Sequence, residues 1–393
     1  MNIMYVWDAD YPWDVRVEKI CKSLARHGHQ VHIVARNLNK RDKEEFSEGL
    51  HIHRLKSWKN DQLNYILSFP LFFSPVWLRR LNQVTRDFDI QLIIVRDLPM
   101  AIAAIWVGRW RGVPVLFDMA EDYVSMIREI WKNDRYRGVN LIVRNPLLAR
   151  AVERYALKRV THTLVVVDEM QNVVTDGGGN PDKITIVGNT PPLQFFLTSQ
   201  PMPAALRPLQ GRFKVIYTGG LEAMRGLQIM ISALPLILAA KPDLVFIVIG
   251  DGPNRKALSG LADELGVTSC IHWLGWVPHD QLVSYLRHCD IGIIPHLVSK
   301  HVDTTVPNKL FDYMGCGLPV IASDARPMKR ILEHNRAGIT YNSGDSTALA
   351  AAILEMAKSD FPYGENGKQA VQNEYHWAID ESRLMALTES FSR

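Results

Sequence analysis

The chain has 393 residues, 47% of them hydrophobic and 22% charged, with a formal net charge of +4. That length exceeds what one hydrophobic core usually organises, so two domains are expected. The mild charge excludes the dense basic stripes of nucleic-acid binders while leaving room for small anionic partners.

Four cysteines, Cys21, Cys270, Cys289 and Cys316, stand far apart without C-x-x-C spacing. Neither a disulfide framework nor a zinc site is expected, and a reducing cytoplasm is. At the N-terminus Asp8 and Asp10 interrupt the apolar run before a signal-peptide core forms. No stretch reaches the ~18 uninterrupted apolar residues of a spanning helix, so the expectation is a protein that neither crosses a membrane nor is exported.

Through the first half a short apolar run, a turn and an amphipathic helix recur. NIMYVW, QVHIVA, HIHRL, IQLIIV, VPVLFD, THTLVVV and KITIVG read as strands, several apolar almost throughout. Strands of that kind are buried on both faces, which predicts a parallel sheet between helices. The helix over residues 16–29 has Val17, Ile20, Leu24 and Ala25 as its inward stripe and Gly28 as its stop.

A proline-rich stretch over residues 190–212 reads as a linker. The pattern then restarts with FKVIYTG, LVFIVIG, CIHWLG, IGIIPH, PVIASD and AGITYN, with helices predicted to begin near Arg225, Asn254, His279, Pro307, Pro327 and Asp345. The fold class expected is therefore α/β, two doubly wound domains over residues 1–195 and 196–375 that face a cleft. Ligands of such sheets bind outside the carboxyl ends of the strands. The helix within residues 376–393 is expected to pack back on the first domain.

Three turns in the second half could carry chemistry. At 217-YTGGLEAMRG-226 a strand runs into Gly219 and Gly220, which let backbone amides approach a ligand, and Arg225 offers a planar fork to a diphosphate. A plain tight turn explains the glycines equally well. Gly250 opens a second glycine turn in 249-IGDGPN-254, which reads as a β-to-α loop or as part of a ligand site. Trp276, just past the strand CIHWLG, either stacks on a base or packs.

The stretch 304-TTVPNKLFDYMGCGLPVIASD-324 is more telling. Pro307 suits a first helical position, and Lys309 lies in the first turn, where free amides favour an anion. Lysine there opposes the helix dipole, so helix stability does not call for it. Asp312, one turn deeper on the same face, either accepts hydrogen bonds from ribose hydroxyls or forms a surface pair with Lys309 worth roughly 0.2 to 0.5 kcal/mol.

In this order the motifs resemble the family-4 glycosyltransferases of GT-B architecture, through DVRVEKICKSLARHGHQVHIV, KITIVGN, YTGGLEAMRG, IGDGPNRKAL, HWLGWVPHDQLVSYLRHCDIGIIP and TTVPNKLFDYMGCGLPVIAS. The resemblance implies a retaining, metal-independent transfer from a nucleotide-diphosphate sugar, a co-substrate in place of any cofactor. The acceptor implied is a saccharide or lipid-linked hydroxyl in cell-surface polysaccharide or glycoconjugate synthesis. Arg225 matches the basic residue before a glycine in the family's second domain, where lysine is more usual. Gly220 stands where a second arginine is common, leaving Arg225 and Lys309 more of the diphosphate charge. Of the family's two glutamates seven residues apart, the second position is Asp312 and the first is Thr304, so Thr304, Thr305 and the amides near Asn308 are the candidates facing the sugar.

In the first domain a histidine is common where Ala120 stands. Asp118, Glu121 and Asp122 remain as acidic candidates, with helix capping the alternative for at least one of them. Arg16 either reaches a phosphate or pairs with Asp14 or Asp118. Two rivals remain open: a nucleotide-sugar-binding scaffold that has lost catalysis, and a GT-B epimerase acting on the nucleotide sugar itself. Residues 63–80 and 128–150 mix aromatic and basic side chains, which suits either a core helix followed by solvated charge or peripheral contact with an anionic membrane, at the inner face of the cytoplasmic membrane.

Overall fold

The protein is described from a computed structural model, which covers residues 1–12, 14–70, 72–133, 144–197 and 201–391. The chain divides into two compact units, one of Met1–Gly188 with Asp380–Arg393 and one of Asn189–Ile379.

Among the described residues of the first unit, eight strands form one sheet: β1 (Asn2–Asp10), β2 (Gln30–Arg36), β3 (Glu44–Ser47), β4 (Leu50–Arg54), β5 (Leu92–Arg96), β6 (Val115–Met119), β7 (His162–Val165) and β8 (Ile184–Ile186). Their order is β3-β4-β2-β1-β5-β6-β7-β8, and only the β3–β4 pair is antiparallel. Ile3 to Val6 and Leu92 to Val95 are buried at every position, as strands covered on both faces must be. β3 was not expected from sequence. It is the polar edge EEFS, where Glu44 and Glu45 are exposed and charge blunts a free edge.

The helix Val15–Arg26 follows β1. Asp14 caps it by accepting from the amides of Arg16 and Val17 at 2.8 and 2.9 Å, while Val17, Ile20 and Leu24 enter the core. The final helix, Trp377–Glu389, rejoins this unit from Asp380 onward: Arg26 Nη2 lies 2.8 Å from Glu381 Oε1.

The second unit carries β9 (Phe213–Thr218), β10 (Leu244–Ile249), β11 (Ile271–Gly275), β12 (Ile291–Ile294), β13 (Val320–Ser323) and β14 (Gly338–Tyr341), all parallel, in the order β11-β10-β9-β12-β13-β14. Met230, Leu234 and Ile237 of the helix Leu227–Ala240 pack with Val215 and Phe246 of the sheet and with Leu349 and Ile353 of the helix Ser346–Met356. In both sheets strand order reverses next to the first strand, between β1 and β5 and between β9 and β12. Ligands of doubly wound sheets bind at such points, outside the carboxyl ends.

No helix among the described residues is long and apolar enough to cross a membrane. The aromatic segment over residues 63–80 is split by its helical period. Trp77 is fully buried, its Nε1 donating to Ser68 O at 3.1 Å; Phe72 is also buried, and Arg80 is buried and paired with Glu44. Only part of the expected surface cluster is therefore exposed: Tyr65 and Phe73, joined by Leu63 and Ile66, with Arg79. Of the second basic segment, residues 134–143 lie outside those described.

Candidate functional site

In the second unit the turn after β9 sits against the turn after β10. Gly219 has φ +131° and Gly250 has φ +127°, values open to glycine, and a Cβ on Gly250 would overlap the Gly219 carbonyl oxygen. Gly219 N donates to Ile249 O at 2.9 Å, Leu221 N to Asp251 O at 3.2 Å and Tyr217 OH to Gly220 O at 2.8 Å. The two glycine turns thus form one close-packed floor at the carboxyl ends of adjacent strands.

Lys309 reaches this floor from the helix Asn308–Gly315. A Cβ on Gly219 would stand 2.8 Å from Lys309 Nζ, so the ammonium lies directly against this turn. The Nζ lies 3.8 Å from the centroid of the Tyr217 ring, and among the described residues it has no hydrogen bond or ion pair. Burial and then the neighbouring Arg225 charge hold its pKa well below the ordinary lysine value, while Glu222 and Asp312 act the other way. A lysine placed against a ring and another cation is poised for an anion.

Arg225 closes a 3-10 turn over Ala223–Arg225; the helix starts two residues later, at Leu227, because Gly226 takes φ +74°. Its Nε lies 3.3 Å from Glu222 Oε2 in a half-exposed pair. Pairs of this kind contribute about 0 to 1 kcal/mol and are readily exchanged. Pro307 proves to be the N-cap residue with ψ 135°, and Asn308, exposed, is the first helical residue. Asp312 is buried within that helix. Thr304 is also buried, its hydroxyl donating to His301 O at 2.9 Å, which spends the group on its own 3-10 turn; Thr305 beside it is half-buried. Trp276 follows β11 and is 71% exposed, so the packing alternative does not hold.

One residue here escaped sequence reasoning. His296, two positions beyond β12, is 3% exposed, and its Nε2 has no hydrogen-bond partner among the described residues. The only signal was a histidine directly after the apolar run IGIIP at a strand's carboxyl end.

In the first unit Arg16 turns inward. Its Nη2 lies 2.6 Å from Asp118 Oδ1, its Nε lies 3.1 Å from both Asp118 oxygens, and its Nη1 donates to Val187 O at 2.8 Å. Tyr5 OH donates to Asp118 Oδ2 at 2.7 Å. Burial works against ionising Asp118, but the Arg16 charge and hydrogen bonds prevail and hold its pKa below the usual carboxylate value. The alternatives left open for Arg16 resolve to pairing with Asp118. Asp118 itself has no exposed surface and ties the end of β6 to the start of the helix Val15–Arg26.

Asp122 is the residue that caps, accepting from Ser125 N at 2.9 Å, while Glu121 stays half-buried beside it. Two carboxyls that sequence reasoning did not single out as site residues flank the β1–β5 reversal. Burial raises Asp97 to about 7, with Arg96 opposing and Glu121, Asp118 and Asp8 adding to it; burial raises Asp8 to about 6 against Arg96 and Arg36.

Comparison with known proteins agrees for both units. Residues 212–359 match the family model described as glycosyl transferases group 1, and residues 14–190 match that of the glycosyl transferase 4-like domain. Phosphatidyl-myo-inositol mannosyltransferase of Mycobacterium leprae is 26% identical over 172 residues, 43% of this chain and 44% of that protein. Amylovoran biosynthesis glycosyltransferase AmsK of Erwinia amylovora is 24% identical over 180 residues, 45% of this chain and 44% of that protein. The matches thus span under half the length of these curated relatives. Sucrose-phosphate synthase from Thermosynechococcus elongatus shares the fold at a TM-score of 0.77 and 17% identity, covering 99% of this chain and 98% of that one. Anabaena Alr3699/HepE, solved in complex with UDP-glucose, does so at 0.73 and 16%, covering 99% and 100%. With both halves matched, the chain belongs to the group 1, family-4-like glycosyltransferases, and its two parallel-sheet units are those of the GT-B fold.

Proposed function

We propose that this chain is a retaining, metal-independent hexosyltransferase that moves a sugar from a nucleotide-diphosphate donor to a hydroxyl of a saccharide or lipid-linked acceptor. The observation that carries the reading is the Lys309 ammonium, held at the β9 glycine turn with a depressed pKa and without an acidic hydrogen-bond partner among the described residues. A diphosphate supplies the charge that the site lacks. The names of the relatives agree with a setting in cell-surface polysaccharide or glycoconjugate synthesis.

Residues 196–375 take the donor in this reading, and residues 1–195 the acceptor. The bond from the anomeric carbon to the diphosphate oxygen breaks, and its electron pair leaves with the diphosphate. The acceptor oxygen bonds the anomeric carbon on the same face, and its proton passes to the departing phosphate oxygen. Lys309 and Arg225 offset the charge that grows on the leaving group, and fixed charges aimed at growing charge are what lower the barrier most in such a reaction. Arg225 exchanges its exposed Glu222 partner for the phosphate. Gly219 and Gly250 shape the floor, their own amides donating to Ile249 O and Gly275 O, and the Gly220 amide is the one offered to the phosphate; Asp312 accepts from the ribose, and Trp276 offers its exposed ring to the base. Thr305 and the amides near Asn308 face the sugar.

Arg16 and Asp118 are assigned a positioning role, with Glu121 left on the acceptor side. The exposed Leu63, Tyr65, Ile66 and Phe73, with Arg79 exposed in the same stretch of chain, give the cytoplasmic enzyme a peripheral hold on anionic lipid. A panel of nucleotide sugars tests the donor reading by thermal unfolding, since a ligand at 100 times its dissociation constant adds about 2.7 kcal/mol. Stabilisation by none contradicts it. Binding without turnover across a broad set of acceptors would favour the inactive scaffold instead.

A further inference from the structure

His296 lies in the same floor as Lys309 and Arg225, although it comes from a third segment. The backbone around it is tied to the Arg225 turn. A Cβ on Gly226 would overlap the Pro295 carbonyl oxygen, and Leu297 N donates to Met224 O at 3.0 Å. From the other side Ser343 Oγ donates to His296 O at 3.4 Å and accepts from Val298 N at 2.8 Å, and Asp324 holds Ser343 N at 3.0 Å. The main chain on both sides of the imidazole is therefore fixed, yet its Nε2 is buried and, among the described residues, unpartnered.

Buried polar groups almost always have partners, so an exception at a strand-order reversal calls for a ligand. The charged and titratable groups that act on the ring are cations or another histidine: Lys309 from the helix Asn308–Gly315, Arg225 from the turn before Leu227, and His301 from its own loop. Burial first, and then these three, hold His296 well below the ordinary histidine value, so the ligand-free ring is neutral at pH 7. An anion placed among the three segments reverses that field.

We propose that His296 is a donor-binding residue that takes up a proton when a sugar nucleotide arrives and, as imidazolium, donates its Nε2–H to the diphosphate. The inference rests on the donor reading above and adds a residue and a pH dependence to it. No covalent step is involved: one solvent proton binds the ring as the complex forms. The sign follows from linkage. The bound-state pKa lies above the free one, so the added affinity is complete below the free value and is lost as pH rises through the bound value.

UDP-glucose and GDP-mannose are the probes, because their diphosphates are esterified at both ends and lack the secondary phosphate ionisation near about pH 6. Each is titrated calorimetrically into the full chain from about pH 5.5 to 8, in two buffers of different ionisation enthalpy. The wild type should take up protons on binding and weaken toward high pH. His296→Gln, which keeps a donor but does not titrate, should lose the histidine's share of the proton uptake, leaving only what Lys309 takes up in both proteins, and bind about tenfold more weakly at low pH, converging on the wild type at high pH. His296→Leu, read beside its thermal unfolding curve, guards against a folding defect. Binding with wild-type affinity and proton uptake in His296→Gln overturns the role of His296 and leaves the donor reading intact. A uniform loss at every pH with proton uptake equal to that of the wild type also overturns it. Failure of both sugar nucleotides to bind the wild type removes the donor reading, and this inference with it.

Discussion

Replacing Lys309 with methionine should move stability and binding in opposite directions. The side chain lies against Tyr217 and beside the Gly219 turn, with its pKa depressed by burial and by Arg225. In the ligand-free protein an ionised Lys309 is therefore a cost, because the unfolded chain holds the proton more tightly. Between its folded pKa and the ordinary lysine value of about 10.4 the unfolded state binds more protons, so stability in that window rises with pH. Lys309→Met abolishes this slope, and the unliganded variant unfolds at the same temperature as the wild type or higher. Donor binding loses a charge-assisted contact of about 1.5 to 3 kcal/mol, roughly 10- to 150-fold in affinity. Turnover falls by on the order of 100-fold or more, the effect of losing one group that stabilises growing charge. Thermal unfolding with and without a sugar nucleotide, together with initial rates, reads all three quantities. A variant that unfolds earlier yet turns over at the wild-type rate would refute the reasoning and make Lys309 a structural residue.

Two further expectations come from the first unit. Asp118→Asn leaves the Arg16 guanidinium buried without its anion and should lower stability by about 3 to 5 kcal/mol in a urea titration; in the wild type the matching contribution is present above the ordinary carboxylate pKa and is lost as pH falls through the lower folded value. Anionic liposomes should retain the protein at low salt and release it as salt rises, since each basic residue near the surface contributes about 1 kcal/mol, and Tyr65→Ser with Ile66→Ser should abolish retention. Equal sedimentation with neutral lipid would count against the anionic interface.

Strand positions were largely legible because parallel strands covered on both faces are apolar at nearly every residue, as in Leu244–Ile249. β3 was not, since EEFS is a polar edge held by its pairing with β4. Lys309 drew attention through local signals, a glycine turn, a proline at a helix start and a lysine where the dipole disfavours it, and its side chain does lie against the Gly219 turn. Long-range facts gave no such signal. Nothing within residues 8–16 says that Arg16 will pair with a carboxylate 102 positions away. Thr304 was a candidate facing the sugar, and the structure gives its hydroxyl to its own turn. His296 needed the sheet order, because only the reversal between β9 and β12 brings its strand end beside Gly219.

The central claim is transfer with retention from a sugar nucleotide. Incubating the protein with a stabilising sugar nucleotide and a panel of saccharide and lipid-linked acceptors, then reading the anomeric proton coupling of the product by NMR, tests it most directly. The account predicts release of nucleoside diphosphate only when an acceptor is present, one new glycosidic bond, and the donor's anomeric configuration kept in the product. An inverted product would contradict the account, as would donor binding with neither transfer nor acceptor-dependent release across the panel.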